Sequence, residues 1–137
     1  MVPLLDTNIL IQIIRKKSDL PAYSVISIIT VGELKAFAVK RNWGYQKRSI
    51  LEKIISEIPV LGIEPNLTDV YATIDAYSQG GLSSDPLPPG VTARNMGKND
   101  IWIAATALFY DLELFTLDND FDHLPPIGLR LNKGEPI

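Results

Sequence analysis

The chain has no cysteine and only one histidine, His123, among its 137 residues. The first absence excludes disulfides and thiolate metal sites, and the second excludes a multi-histidine zinc centre within one chain. Any bound metal therefore has to be held by oxygen ligands, which suits hard cations. A chain without cysteine is compatible with a reducing cytoplasm, the expected location. Long apolar runs are also missing. No stretch reaches the roughly 18 to 20 residues of a membrane span, and Met1 to Asp6 lacks the basic start and apolar core of a signal peptide. Positive charge is scarce: 13 Lys and Arg face 16 Asp and Glu, for a net charge of −3. That deficit sits awkwardly with a nucleic-acid partner. Two features soften it. Carboxylates gathered around a divalent cation are locally neutralised. The basic residues also bunch, in Arg15-Lys16-Lys17 and among Lys35, Lys40, Arg41, Lys47 and Arg48, although such runs serve equally well as solvated helix faces.

What is present is a core-forming composition, 46% hydrophobic and 21% charged, sufficient for one domain spanning residues 1–137. Apolar runs suggest strands at 2–5, 24–27, 59–63, 113–117 and 129–131. Helical periodicity marks 8–16, 30–41, 46–58, a segment opened by Asn66, and 101–110, the last apolar nearly all round. Short apolar strands alternating with helices predict an α/β fold of three layers, with a central, mostly parallel five-stranded sheet flanked by helices. Residues 78–97 break the pattern with four of the nine glycines and three of the ten prolines, and read as a surface excursion or flexible lid.

In sheets of this kind ligands gather beyond the carboxyl ends of the strands. Asp6 directly follows the first strand and Asp118 the fourth. Glu33 lies early in the helix after the second strand, and Asp100 opens the buried helix before the fourth. Each acid also has a purely structural explanation. Thr30-x-x-Glu33 matches a capping box, Asn99-Asp100 and Asp6 could cap helices, and Asp118 or Asp120 could serve a turn. Four acids far apart in sequence yet placed on one sheet edge favour a site for Mg²⁺ or Mn²⁺.

The same residues carry a family resemblance. Leu4-Leu5-Asp6-Thr7-Asn8, Ser27-x-x-Thr30-x-x-Glu33-Leu34, Gly97-Lys98-Asn99-Asp100-x-Trp102-Ile103-Ala104-Ala105-Thr106-Ala107 and Phe115-Thr116-Leu117-Asp118-Asn119-Asp120-Phe121 occur in the order seen in PIN-domain proteins. The chain resembles most the VapC-type toxins of toxin–antitoxin pairs, from residue 3 to about residue 131. The resemblance implies a five-stranded parallel sheet between helices, a Mg²⁺- or Mn²⁺-dependent endoribonuclease, frequent homodimers, and inhibition by a small VapB-like antitoxin. By position, Asp6, Glu33 and Asp100 match the three central acids. Asp118 matches the more variable fourth, with Asp120 competing for its work, while Asn8 and Thr116 match supporting polar positions. The connection 78–97 is longer than the family usually shows.

The expected chemistry is in-line attack of metal-activated water on an RNA phosphodiester, leaving a 5′-phosphate and a 3′-hydroxyl. Asp6 and Asp100 are the expected principal ligands, with Glu33 and Asp118 completing the shell directly or through water. His123, a lone loop histidine, reads as a bystander. One alternative is a non-catalytic PIN-fold scaffold or regulatory module. Another is a receiver-like phosphoacceptor domain, which would normally carry paired early acids, an aspartate after a middle strand and a late strand-end lysine.

Overall fold

The computed structural model describes residues 1–134; the last three positions of the expected 1–137 domain lie outside the described residues. Five short strands, β1 (Pro3–Leu5), β2 (Ile26–Ser27), β3 (Val60–Leu61), β4 (Glu113–Phe115) and β5 (Arg130–Asn132), all pair in parallel. They form a three-stranded sheet in the order β1-β4-β5 and a two-stranded sheet, β2-β3. A parallel bridge between Leu4 and Val25 joins the two, through Val25 N–H to the Pro3 carbonyl at 2.9 Å and Leu5 N–H to the Val25 carbonyl at 3.1 Å. The strand order across the joined sheet is thus β3-β2-β1-β4-β5. Pro3 sits at the first residue of its strand, where a proline is tolerated.

Alternation along the strands divides the core in two. Leu4, Val25, Leu61 and Leu114 face one cluster, completed by α4 (Leu67–Ser78) and α5 (Lys98–Phe109). Leu5, Ile26, Val60 and Phe115 face the other, completed by α1 (Thr7–Lys16), α2 (Ile28–Lys40) and α3 (Tyr45–Glu57). This is the expected three-layer α/β architecture. Helix α1 shows the local logic. Ile9, Leu10, Ile13 and Ile14 make one buried stripe, the Asp6 side chain caps the first turn, and Lys17 ends the helix in a left-handed conformation at φ 54°. Among the described residues no helix is long and apolar enough to cross a membrane.

Two expectations change. Thr30 and Glu33 do not form a capping box: α2 begins two residues earlier, and its cap is Ser27, whose hydroxyl accepts from Ile29 N–H at 3.0 Å. Residues 79–97 are irregular, as expected, but they are anchored. Leu82 and Leu87 pack against the α4–α5 core, Met96 is buried, and Arg94 N–H donates to the Ser78 carbonyl at 2.7 Å. Burial of these three apolar side chains favours the packed arrangement of the segment.

Candidate active site at the carboxyl edge of the sheet

Because the strands are all parallel, their carboxyl ends share one edge, and the candidate residues converge there from four elements. Asp6 leaves β1 and Thr116 leaves β4, its immediate neighbour; Asp6 N–H donates to the Phe115 carbonyl at 2.9 Å. Asp6 is buried and doubly held. One carboxylate oxygen accepts from Thr7 N–H at 2.8 Å and the other from the Thr116 hydroxyl at 2.7 Å. The Thr116 oxygen in turn accepts from Asp118 N–H at 3.0 Å and lies 3.4 Å from the Asn8 amide nitrogen, while Asn8 Oδ1 accepts from Leu117 N–H at 3.2 Å. Thr116 and Asn8 therefore tie the turn after β4 to the start of α1.

Asp100 enters on the first turn of α5, where an acid is favoured by the helix dipole. Asp118 caps the short 3₁₀ turn Asn119–Phe121, accepting from Asp120 N–H at 2.9 Å. Asp100, Asp118 and Asp120 each offer a carboxylate oxygen within 4.8 Å of the others. Sequence reasoning set Asp118 and Asp120 as competitors, but the 3₁₀ turn presents both. It also ranked Asp6 with Asp100 as the leading pair, whereas Asp6 lies outside this compact trio and faces it as a neighbouring charge.

Glu33 stands on the other flank. Its Oε1 accepts from the Thr7 hydroxyl at 2.6 Å and its Oε2 from the Asn99 amide at 3.3 Å. Thr7 and Asn99 were legible in the sequence only as letters of the motifs around Asp6 and Asp100. Their role as clamps on Glu33 needs α1, α2 and α5 to meet. His123 is not a loop bystander in the structural sense. It is buried, Nε2 lies 2.8 Å from the Ser78 hydroxyl, its ring stacks on Tyr77, and the Tyr77 hydroxyl donates to its carbonyl at 3.0 Å. Burial lowers its pKa, so a neutral imidazole joins α4 to the segment carrying Asp118 and Asp120.

The carboxyls of this edge raise one another's pKa. Burial pushes the Asp6 carboxyl up to about 6; the bonds from Thr116 and Thr7 oppose the rise, and the charges of Glu33 and Asp118 add to it. Asp100 is pushed up to about 7, first by burial and then by Asp6, Asp118, Asp120 and Glu33. Carboxylates that raise one another's pKa in a partly dry cleft hold excess negative charge, which a divalent cation relieves. An oxygen-only donor set fits Mg²⁺ or Mn²⁺ and does not fit a thiolate or imidazole metal.

The chain is similar to known proteins over nearly its whole length. The ribonuclease VapC4 of Mycobacterium tuberculosis is 23% identical over 130 residues, covering 90% of this chain and 92% of the relative. Among solved structures, DNA-bound VapBC from Salmonella typhimurium superposes with a TM-score of 0.73 at 23% identity, covering 96% of this chain and 97% of the other. VapBC2 from Rickettsia felis, bound to a promoter DNA fragment, gives a TM-score of 0.71 at 23% identity, covering 96% and 98%. At that identity the superpositions speak for the fold. The PIN domain model matches residues 4–125, a span containing every acid of the site. The chain belongs to the PIN domain family.

Proposed function

We propose that this protein is a Mg²⁺- or Mn²⁺-dependent endoribonuclease, folded as one PIN domain, and the toxin of a type II toxin–antitoxin pair. The carrying observation is the cluster of Asp100, Asp118 and Asp120, with Asp6 and Glu33 beside it, at the carboxyl edge of a parallel sheet. Mg²⁺ or Mn²⁺ held by Asp100, Asp118 and Asp120, with Asp6 alongside, would supply Lewis-acid polarisation of the scissile phosphate and lower the pKa of the attacking water. The side chains do the rest. Thr116 and Thr7 fix the Asp6 carboxylate so that it does not reorganise as charge develops. Glu33 is oriented by Thr7 and Asn99, and its Oε2, bonded more loosely than Oε1, is the atom to accept a proton from water. Attack by water rather than by the ribose 2′-hydroxyl, with the P–O3′ bond breaking and the 3′-oxygen leaving as a hydroxyl, gives a 5′-phosphate and a 3′-hydroxyl.

Support for the toxin assignment comes from the relatives, which are named as a VapC ribonuclease and as VapBC complexes. The proposal carries a small antitoxin as a second partner, a homodimeric state and a cytoplasmic location. Incubation with RNA and Mn²⁺, with and without chelator, tests the activity. Cleavage that stops with chelator and with Asp100→Asn is expected; cleavage that survives both would reject the site. RNA left intact by the wild type would favour the non-catalytic scaffold instead. Light scattering is expected to report a dimer at micromolar concentration, and a monomer would reject that part of the proposal.

A further inference from the structure

Two open clefts leave the acidic rim on either side of Phe37. The larger, about 570 Å³, starts at Thr7, Glu33 and Asn99 and follows α2 past Phe37 to Lys40. At the rise of an α-helix, Lys40 lies about 10 Å along the axis from Glu33. The second cleft, about 480 Å³, starts at Asn8 and Leu117, beside the Asp6–Thr116 pair, and reaches Arg15 and Arg41, with Phe37 as a shared wall. The first cleft therefore begins at Glu33, the second at Asn8 beside the Asp6–Thr116 pair, and both end at cations.

The arginines are organised rather than merely nearby. The Arg15 guanidinium carbon lies 5.4 Å from the centroid of the Phe37 ring and that of Arg41 lies 5.2 Å from it. The ring itself is held edge-on at 5.6 Å by the buried Trp43. A guanidinium drawn to an aromatic ring keeps N–H edges available for planar, bidentate contact with phosphate oxygens. Both arginines are exposed, and among the described residues neither is ion-paired with a carboxylate. In a chain with more acids than bases, two guanidiniums on one ring, neither ion-paired among the described residues, form a concentrated positive site, continuous with the rim through the clefts.

We propose that Arg15 and Arg41, braced on Phe37, bind the RNA backbone beside the scissile phosphate, with Lys40 extending the track along α2. This rests on the nuclease reading and adds to it where the strand lies. It also explains how a protein of charge −3 holds a polyanion: attraction is local to this patch while the carboxylates remain at the cut site.

The test is an Arg15→Gln/Arg41→Gln double variant, which removes both charges and shortens each side chain while leaving a polar, uncharged group. Binding of a short fluorescent single-stranded RNA is followed by anisotropy in chelator over a salt series, and cleavage of the same RNA in Mn²⁺. Two lost phosphate contacts should make the slope of log K against log salt shallower by about 1.4. KM should rise about tenfold, with most of the change in KM rather than kcat. Arg15→Lys/Arg41→Lys should restore the slope, because an ammonium still neutralises a phosphate. Matching thermal melts would establish that all variants fold. If the wild type cuts RNA but the Gln variant keeps its slope and KM, the assignment is overturned while the nuclease reading stands. Weakened binding of an acidic peptide with RNA binding unchanged would overturn it in favour of a protein-facing patch. A wild type that neither binds nor cuts RNA would remove both.

Discussion

Replacing Asp6 by Asn should make the metal-free protein more stable and inactive at once. In the fold the Asp6 carboxyl titrates at about 6 against an ordinary value of 3.8, chiefly because it is buried. One pKa unit corresponds to about 1.4 kcal/mol, so the ionised side chain costs the folded state about 3 kcal/mol at neutral pH. The sign follows from proton binding. Between pH 4 and 6 the folded state holds the proton that the unfolded chain has released, so stability falls as pH rises through that window and levels off above it. An Asn side chain carries no charge, can still accept from Thr7 N–H, and can donate to the Thr116 oxygen, so the cap of α1 survives. Removing the charge also relieves Asp100, whose raised pKa owes its second-largest contribution to Asp6. The expected gain at pH 8 in chelator is about 1–3 kcal/mol, which for a domain of this size is roughly 4–10 °C in Tm. Near pH 4, where Asp6 is protonated in the fold, the gain should shrink below about 1 kcal/mol. Mn²⁺ should raise the Tm of the wild type, because it binds the folded state alone, and raise that of the variant much less. Urea unfolding at pH 8 and pH 4, with chelator and with Mn²⁺, measures all of this. A variant that is less stable than wild type at pH 8, or whose advantage is the same at both pH values, would show that the cost assigned to buried charge is not there.

Activity and Mn²⁺ affinity should both fall as pH drops from 8 to 6, because Asp100 and Asp6, titrating at about 7 and about 6, take up protons that a cation would have to displace. A loss of at least about tenfold by titration calorimetry is expected, and a flat profile would count against Asp100 as a ligand. Thr116→Val removes the hydroxyl shared by Asp6 and Asp118 N–H, so it should cost about 1–2 kcal/mol in urea unfolding at pH 8 and raise the Asp6 pKa further, read by NMR titration. Glu33→Gln keeps an acceptor for the Thr7 hydroxyl and, with the Asn99 amide turned over, a donor to Asn99 Oδ1, but cannot take a proton. It should melt like the wild type while cleaving about 10²-fold more slowly, and full turnover would exclude Glu33 as the base.

Much of this molecule was readable before any tertiary contact was known, because the readable parts depend on local periodicity. Two faces of burial along Leu4-Leu5 and Leu114-Phe115 and the stripe Ile9, Leu10, Ile13, Ile14 report strand and helix through the spacing of apolar residues alone. Parallel strands then oblige Asp6 and Asp118 to share an edge, whatever the packing angles. Boundaries were less legible: the match of Thr30-x-x-Glu33 to a capping box was false because Ser27 offers an equally good cap one turn earlier.

What the sequence could not decide is which groups touch. That Asp100, Asp118 and Asp120 make the compact trio, while Asp6 is turned toward Thr116, depends on how α5 docks against the end of β4 and on a 3₁₀ turn that presents two acids together. That Thr7 and Asn99 grip Glu33 depends on three helices from different parts of the chain meeting within hydrogen-bond distance. The burial of His123 against Ser78, and the anchoring of residues 79–97 by Leu82, Leu87 and Met96, likewise come from packing between segments that carry no periodic signal of their own. Hydrophobic spacing encodes which face of an element is buried; the ångström-scale separations that shift a carboxyl's pKa or assemble a cation site arise only when those faces are pressed together.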